Sequence, residues 1–183
     1  GELGMELHRR GWHDRYIGVD FSPKLPGVAA GVEGLFLQAD LTSPDWSSQS
    51  AIRNQQFTTI CAFAVLHHIP SEALRVQLLR QVQGLLIPGG QFIHSSWQFL
   101  NSPRLAARVQ PWESVGLASA DLDPGDYLLD WRSGGAGLRY VHHFTEEELS
   151  VLARQTGFRV VETFYADGQT GNLGLYQVWK ACS

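Results

Sequence analysis

Cysteine is nearly absent from the 183-residue chain, which contains only Cys61 and Cys182. Cys61 lies within an apolar run and Cys182 lies next to the last residue, so the pair offers neither a disulfide framework nor a C-x-x-C metal knuckle. This scarcity excludes the small, disulfide-stapled class of protein. A reducing, cytoplasmic setting is therefore the expected localisation.

Long hydrophobic runs are missing as well. The longest uninterrupted apolar stretch, residues 60–66, is about a third of the roughly 20 residues that a membrane-spanning helix needs. We therefore expect no transmembrane helix and no membrane partner. The N-terminus shows no basic and then apolar leader, although a signal upstream of Gly1 stays open.

The chain also lacks an excess of basic charge. Its 14 lysines and arginines stand against 18 acidic residues, for a net charge of −4. Nonspecific affinity for nucleic acid comes mainly from Lys and Arg that neutralise phosphates, so any contact with RNA has to be local. With 44% apolar residues, the chain has the composition of a single globular domain with a full core.

Short apolar runs that end in an acid or a turn alternate with helical patterns. The expected strands are 16–19, 35–39, 59–65 and 91–97, the last after a tight turn at 88–90. The expected helices are 2–10, 71–84 and 145–156. Two further strands, 159–165 and 173–180, are joined by a short connection and must be antiparallel. The pattern predicts an α/β fold with a doubly wound, mostly parallel sheet and a C-terminal antiparallel hairpin.

Residues 98–144 interrupt this alternation with a stretch rich in Pro, Gly, Asp and Trp. We interpret the segment as an insertion or lid on the acceptor side of a single domain, 1–183. Ligands of an open α/β sheet bind outside the carboxyl ends of its strands, and the acids Asp20 and Asp40 follow two strands there. Asp20 can accept from two vicinal ribose hydroxyls, and Asp40 from an adenine amino group. Either acid can instead be an ordinary helix cap or turn residue.

Four segments in order carry a resemblance to a known family: Val19-Asp20-Phe21-Ser22, Ala39-Asp40-Leu41, Phe63 to Pro70 and Leu86 to Gly90. The set resembles the Rossmann-like class I methyltransferases, which use S-adenosylmethionine. The resemblance implies that Asp20 and Phe21 hold the ribose of this cofactor, that Asp40 and Leu41 hold the adenine, and that Phe63, Ala64 and His68 lie at the methionine end.

Gly1 looks like the last glycine of the glycine-rich loop with which these enzymes begin, where a close approach of backbone to cofactor is needed. We therefore expect that loop, and the first strand before it, to be largely absent from the sequence and to precede it in the intact protein.

The C-terminal half carries a narrower resemblance. The segments Gly125 to Trp131, Arg139 to Leu149 and Gly171 to Leu173 look like the tRNA wobble-uridine methyltransferases that esterify a 5-carboxymethyl group. Val141 departs from that family's Arg-Tyr-Tyr-His segment. The resemblance implies tRNA as the acceptor and a small zinc-binding activator protein as a partner.

The acceptor-side candidates are Arg139, Tyr140 and His142. A guanidinium can grip a carboxylate or phosphate with two hydrogen bonds, Tyr140 or Trp131 can stack on a base, and His142 can serve as a base for a hydroxyl or amine. Alternatively, Arg139 pairs with Glu146 or Glu147 on the surface and the aromatic rings belong to the core.

The histidine pairs 67–68 and 142–143 invite a metal interpretation, but adjacent side chains point in different directions and ligand spacing is absent. We predict no metal. The leading function is methylation of a carboxylate such as that of 5-carboxymethyluridine in tRNA; a small-molecule acceptor and a non-catalytic nucleoside-binding domain stay open as alternatives.

Overall fold

The computed structural model describes residues 2–12, 16–24, 34–118, 120, 122–132 and 137–182. They belong to two compact units, 1–49 and 50–183, and each unit is described by itself. The predicted cofactor residue Gly1 lies outside the described residues. Within those residues, no helix combines the length and apolar character that crossing a membrane requires.

Helices and strands take up most of the described chain. The helices are α1 (Glu2–Arg9), α2 (Glu72–Leu85), α3 (Pro103–Ala106) and α4 (Glu146–Gln155). The strands are β1 (Ile17–Asp20), β2 (Leu35–Gln38), β3 (Phe57–Phe63), β4 (Leu86–Trp97), β5 (Val109–Gln110), β6 (Asp126–Trp131), β7 (Gly137–His142), β8 (Phe158–Ala166) and β9 (Gly174–Ala181).

The first unit contains a parallel pair of strands. β1 and β2 pair from Ile17 opposite Leu35 to Asp20 opposite Gln38, and the backbone N–H of Ala39 donates to the carbonyl of Asp20 at 2.9 Å. Because both strands run in the same direction, their carboxyl ends meet at one edge. This confirms the two predicted strands.

The second unit is built on a four-stranded sheet of order β3-β4-β9-β8. β3 and β4 are parallel, whereas β9 runs antiparallel to both β4 and β8. Ser71 caps α2, since its hydroxyl accepts from the N–H of Leu74, and α2 buries Leu78 and Leu79. The α/β class with a C-terminal antiparallel hairpin is confirmed, with a mixed sheet in this unit.

The Pro88-Gly89-Gly90 segment differs from its prediction. β4 already begins at Leu86, and its pairing with β3 jumps from Phe57 opposite Leu86 to Thr59 opposite Gln91. The three residues therefore form a bulge, so the predicted turn lies within β4 and not before it. Gly89 has φ +74°, and a Cβ at Gly90 would lie 3.0 Å from the carbonyl oxygen of Ile87.

The 98–144 segment folds into a small antiparallel sheet, β5-β6-β7. It has its own buried cluster of Phe99, Leu105, Leu129 and Val141. Each strand here pairs only with another strand of the insertion, so the sheet is a local addition to the α/β unit. The composition of the segment, rich in turn residues, gave no strand signal.

Two buried histidines make the stability of the fold depend on pH. Burial lowers the pKa of His94 to about 3, and burial, together with the nearby His68, Arg139 and His142, lowers the pKa of His67 to about 3. An unfolded histidine has a pKa of about 6.5. Between these values the unfolded chain binds more protons, so the free energy of unfolding should fall with falling pH, by up to about 1.4 kcal/mol per pH unit for each ring.

Urea unfolding between pH 4 and pH 8 checks this expectation. His94→Phe should reduce the slope of unfolding free energy against pH, because Phe keeps an aromatic ring beside Phe92 and Trp179 without a proton-binding nitrogen. His8→Gln, on exposed α1, is the control. A slope for His94→Phe equal to that of the unaltered protein contradicts the assignment.

Candidate active site

Ala64 marks the carboxyl end of β3. Its φ is +55°, a left-handed conformation that is uncommon for a residue with a Cβ. Its N–H lies 3.2 Å from the carbonyl oxygen of Ser95 and 3.1 Å from the Ser95 hydroxyl. Strained backbone of this kind concentrates at functional sites. The ends of β3 and β4 are thereby fastened together at the edge where ligands bind in α/β folds.

His67 and His68 follow on a 3-10 turn, Leu66–His68. The Nδ1 of His67 accepts the backbone N–H of Trp97 at 3.2 Å. The Nδ1 of His68 lies 3.3 Å from the carbonyl oxygen of Tyr140, and since a carbonyl only accepts, this nitrogen carries a proton. The two rings lie 4.3 Å apart and are in opposite tautomers.

Arg139 on β7 is a cation held between two indole rings. Its guanidinium carbon lies 5.1 Å from the ring centre of Trp97 and 4.5 Å from that of Trp131. Burial, with a smaller effect from Arg108, lowers its pKa. Its Nε is buried without a hydrogen-bond partner, and no described carboxylate forms an ion pair with it.

The alternative surface pairing of Arg139 with Glu146 or Glu147 is therefore not observed. Glu146 instead accepts the hydroxyl of Tyr165 at 2.8 Å. Trp131 is 40% exposed, so it is not a core residue and still presents ring surface beyond its contact with Arg139.

A pocket of about 310 Å³ lies within the second unit. Its lining residues are Ala64, His67, His68, Ser95, Ser96, Trp97, Arg139, Asp167, Leu173 and Gly174. The predicted site residues Ala64, His68 and Arg139 are thus brought together. Sequence reasoning missed Ser95, Ser96 and Trp97, although they stand at the end of a predicted strand, where the same edge rule applies.

Phe63 lies beside the pocket but does not line it. Its ring is 40% exposed and lies 6.2 Å from that of Tyr176. The sequence interpretation gave a role to the backbone near Phe63, and that role stays a prediction.

Tyr140 and His142, the other two acceptor-side candidates, face a polar network away from the pocket lining. The hydroxyl of Tyr140 donates to Asp126 at 2.6 Å and accepts from Arg75 at 3.1 Å. Burial, together with the hydrogen bond to Asp126, raises the pKa of Tyr140. Its phenol is therefore held neutral in the network, and its backbone carbonyl is the atom that reaches His68.

His142 is fully buried between two carboxylates. Its Nδ1 lies 2.6 Å from Asp126 and its Nε2 lies 2.7 Å from Glu148. Both ring nitrogens are thus engaged by carboxylates of the chain itself. These contacts give His142 a place in the buried network, and its base role stays a prediction.

Arg75 closes the network from α2. This buried guanidinium donates to Asp123 at 3.1 Å, in addition to Tyr140 and the carbonyl of Ile69. Asp123 also accepts the N–H of Glu72 at 2.9 Å, which caps α2 from the insertion. Gly125, with φ +96°, lets the loop pass over the network, since a Cβ there would lie 3.0 Å from the ring of His142.

The cofactor candidates of the first unit lie at the edge formed by β1 and β2. One oxygen of Asp20 accepts the N–H of Ser22 at 2.8 Å. One oxygen of Asp40 accepts from the hydroxyl and the N–H of Thr42, and these two bonds lower the pKa of Asp40. Phe21 is 76% exposed and Leu41 is half-buried. The second oxygen of each acid takes no hydrogen bond from another described residue.

No group of three His, Cys, Asp or Glu side chains suited to a metal ion occurs within the described ranges. In the histidine pairs, hydrogen bonds occupy the Nδ1 atoms of His67, His68 and His142. What these histidines offer to a ligand is therefore hydrogen bonding.

The network makes a quantitative prediction. Asp126→Ala removes the buried carboxylate that contacts both the ring of His142 and the hydroxyl of Tyr140, so we expect a loss of about 3–5 kcal/mol of unfolding free energy. Urea unfolding at pH 7 measures it. Glu6→Ala, which removes the exposed ion pairs of Glu6 with Arg9 and Arg10, should cost at most about 1 kcal/mol. Equal losses in the two variants contradict the importance of the network.

The comparisons with known proteins agree with the geometry. Residues 1–163 match the model of a family described as a methyltransferase domain. No curated protein sequence matches the chain.

Known structures share its fold. A SAM-dependent methyltransferase from Methanosarcina mazei is 18% identical with a TM-score of 0.65, covering 97% of this chain and 86% of that one. A second, from Clostridium acetobutylicum, is 12% identical with a TM-score of 0.70 and coverage of 100% and 80%. The 1,6-didemethyltoxoflavin-N1-methyltransferase of Burkholderia thailandensis, with S-adenosylhomocysteine and 1,6-didemethyltoxoflavin bound, is 18% identical with a TM-score of 0.61 and coverage of 97% and 66%.

The broader resemblance seen in the sequence is thereby confirmed, whereas the narrower one to tRNA wobble-uridine enzymes stays a prediction. With a fold shared by these enzymes and a family match over residues 1–163, the chain belongs to the methyltransferase domain family.

Proposed function

We propose that the chain is an S-adenosylmethionine-dependent methyltransferase whose acceptor is a small molecule bound in the pocket beside Arg139. The family match over residues 1–163 supports the reaction class. The Burkholderia enzyme, which shares the fold, binds S-adenosylhomocysteine, the demethylated form of this cofactor. The single observation that carries the acceptor side is the guanidinium of Arg139 in the pocket, whose buried Nε has no hydrogen-bond partner and which no described carboxylate pairs with.

The residues of the first unit fit the cofactor. Asp20 and Asp40 follow adjacent parallel strands at one edge, and each keeps one oxygen free of bonds from other described residues. Asp20 would hold the ribose hydroxyls, and Asp40 with Leu41 would hold the adenine. When bound, the cofactor supplies an electrophilic methyl group on a sulfonium.

The pocket fits a small acceptor. A volume of about 310 Å³ lies at the low end of the range for small-molecule sites. The net charge of −4 gives no general attraction for a polyanion. The residues of this chain would contribute by positioning, since holding two reactants in the right geometry can supply a large part of a rate enhancement.

Two features favour a second candidate, the carboxymethyl group of a tRNA wobble uridine. Arg139 can grip a carboxylate, and the half-exposed ring of Trp131 beside it offers a surface on which a base can stack. This candidate would bring tRNA and a small activator protein as partners.

Labelled-methyl transfer to bulk tRNA separates the two candidates. We expect no incorporation into tRNA by this chain, with or without Arg139→Ala. Incorporation that is lost in Arg139→Ala would favour the carboxymethyluridine acceptor over a small molecule.

The cofactor proposal predicts a calorimetric result. S-Adenosylhomocysteine should bind the unaltered protein, and Asp20→Ala should weaken it about 10- to 100-fold, the effect of losing hydrogen bonds to a charged group. Asp45→Ala is the control, because its exposed side chain makes no cap hydrogen bond. Equal affinities in Asp20→Ala and the unaltered protein refute the role of Asp20. No binding to the unaltered protein favours a non-catalytic domain.

A further inference from the structure

We propose that His68 is the base of the reaction, and that the acceptor combines an anionic group, bound by Arg139, with a hydroxyl or amine that gives its proton to Nε2 of His68. The inference rests on the proposed function and names its substrate class. In this assignment the anionic group anchors the acceptor and is not itself methylated.

The tautomer of His68 is set by the backbone. Its Nδ1 lies 3.3 Å from the carbonyl oxygen of Tyr140, an atom that can only accept, so Nδ1 holds the proton of the neutral ring. The lone pair is then on Nε2. Such an arrangement, with one nitrogen oriented by a carbonyl and the other free to accept a proton, is what a histidine base requires.

The surroundings keep this ring neutral. Burial is the largest effect that lowers the pKa of His68, the bond to Tyr140 opposes it, and the cation of Arg139 lowers it further. His67, which packs on His68, is itself neutral because its pKa is lowered to about 3. Of the other charged groups in the lining, Asp167 is engaged by the hydroxyl of Tyr176. A neutral base, the cation of Arg139 and the carboxylate of Asp167, which accepts from Tyr176, therefore line the pocket together.

Two buried polar atoms of the lining lack partners. These are the Nε of Arg139 and the hydroxyl oxygen of Ser96. A buried polar group without a hydrogen bond costs free energy. A polar, anionic ligand would satisfy the guanidinium, which no described carboxylate does.

The chemistry separates this acceptor from a carboxylate that becomes an ester. As the acceptor oxygen or nitrogen forms its bond to the methyl carbon, its proton passes to Nε2 of His68. The bond between methyl and sulfur breaks, and its electron pair stays on sulfur as a neutral thioether. A carboxylate acceptor is already ionised at pH 7 and has no proton for His68 to take.

Binding of defined probes tests the anchor. We expect 3- or 4-hydroxybenzoate to bind the unaltered protein and the neutral 4-hydroxybenzamide to bind at least 10-fold more weakly. Arg139→Leu should remove this preference, and Arg132→Leu, which alters an exposed arginine, should not. Failure of both hydroxybenzoates to bind overturns the proposal.

The anion could also be the carboxylate of the cofactor's amino-acid portion. If Arg139→Leu weakens S-adenosylhomocysteine and leaves hydroxybenzoate binding unchanged, Arg139 belongs to the cofactor and the acceptor assignment is wrong. Failure of S-adenosylhomocysteine to bind the unaltered protein would overturn the proposed function and the base assignment with it, whereas the anion preference at Arg139 is measured separately, because the probes need no cofactor.

The base is tested by ¹⁵N spectra of histidine side chains and by a matched variant. In the unaltered protein at pH 7, His68 should be neutral with its proton on Nδ1, and hydroxybenzoate should shift its Nε2 signal. His68→Asn keeps a side-chain donor for the Tyr140 carbonyl but removes the base. The roughly 5-fold preference we expect for hydroxybenzoate over benzoate should vanish in that variant. A proton on Nε2, or a preference that survives in His68→Asn, overturns the proposal.

Discussion

The hydrogen bonds that converge on Asp126 are the constraint on which the acceptor side depends. One carboxylate oxygen accepts from both Tyr140 and His142, and Arg75 extends the network to α2. Unpaired charges in a buried site cost several kcal/mol each, so the bonds from Asp126 to Tyr140 and His142 hold β7 against β6. That arrangement also sets where Arg139 lies, since it is the residue next to Tyr140 on the same strand.

Strand alternation explains why neighbouring candidates have different roles. Successive side chains of β7 point to opposite faces, so Tyr140 and His142 enter the network while Arg139 turns to Trp97 and Trp131. The sequence by itself indicates one block of acceptor-side residues in this segment. Only the pairing of β7 with β6 reveals the division, and this pairing was hidden because the segment before β7 is rich in glycine. Val141, at the departure from the tRNA family pattern, is a core residue.

Predictions from the sequence succeeded where local chemistry determines structure. Thr145 caps α4 by accepting from the N–H of Glu148, as the spacing indicated, but the Glu148 carboxylate bonds His142, a partner that spacing cannot supply. Apolar runs and the breaks after them predict the strands that end in Asp20 and Phe63. The expectation that binding residues follow the carboxyl ends of strands points only to acids in this sequence. It therefore misses Ser95 and Trp97, which contribute a hydroxyl, a backbone N–H and a ring.

Tyr140 connects the buried network around Asp126 with the pocket, and it uses a different atom for each. Its hydroxyl is bound in the network, whereas its carbonyl oxygen fixes the proton of His68. A displacement of β7 would therefore move the guanidinium of Arg139. It would also break the hydrogen bond that fixes the tautomer of His68. Because one strand positions both groups, an acceptor anchored at Arg139 would meet a histidine whose free nitrogen is already selected. The buried network thus preorganises the pocket before any ligand binds, which is how a protein reduces the cost of ordering reactants.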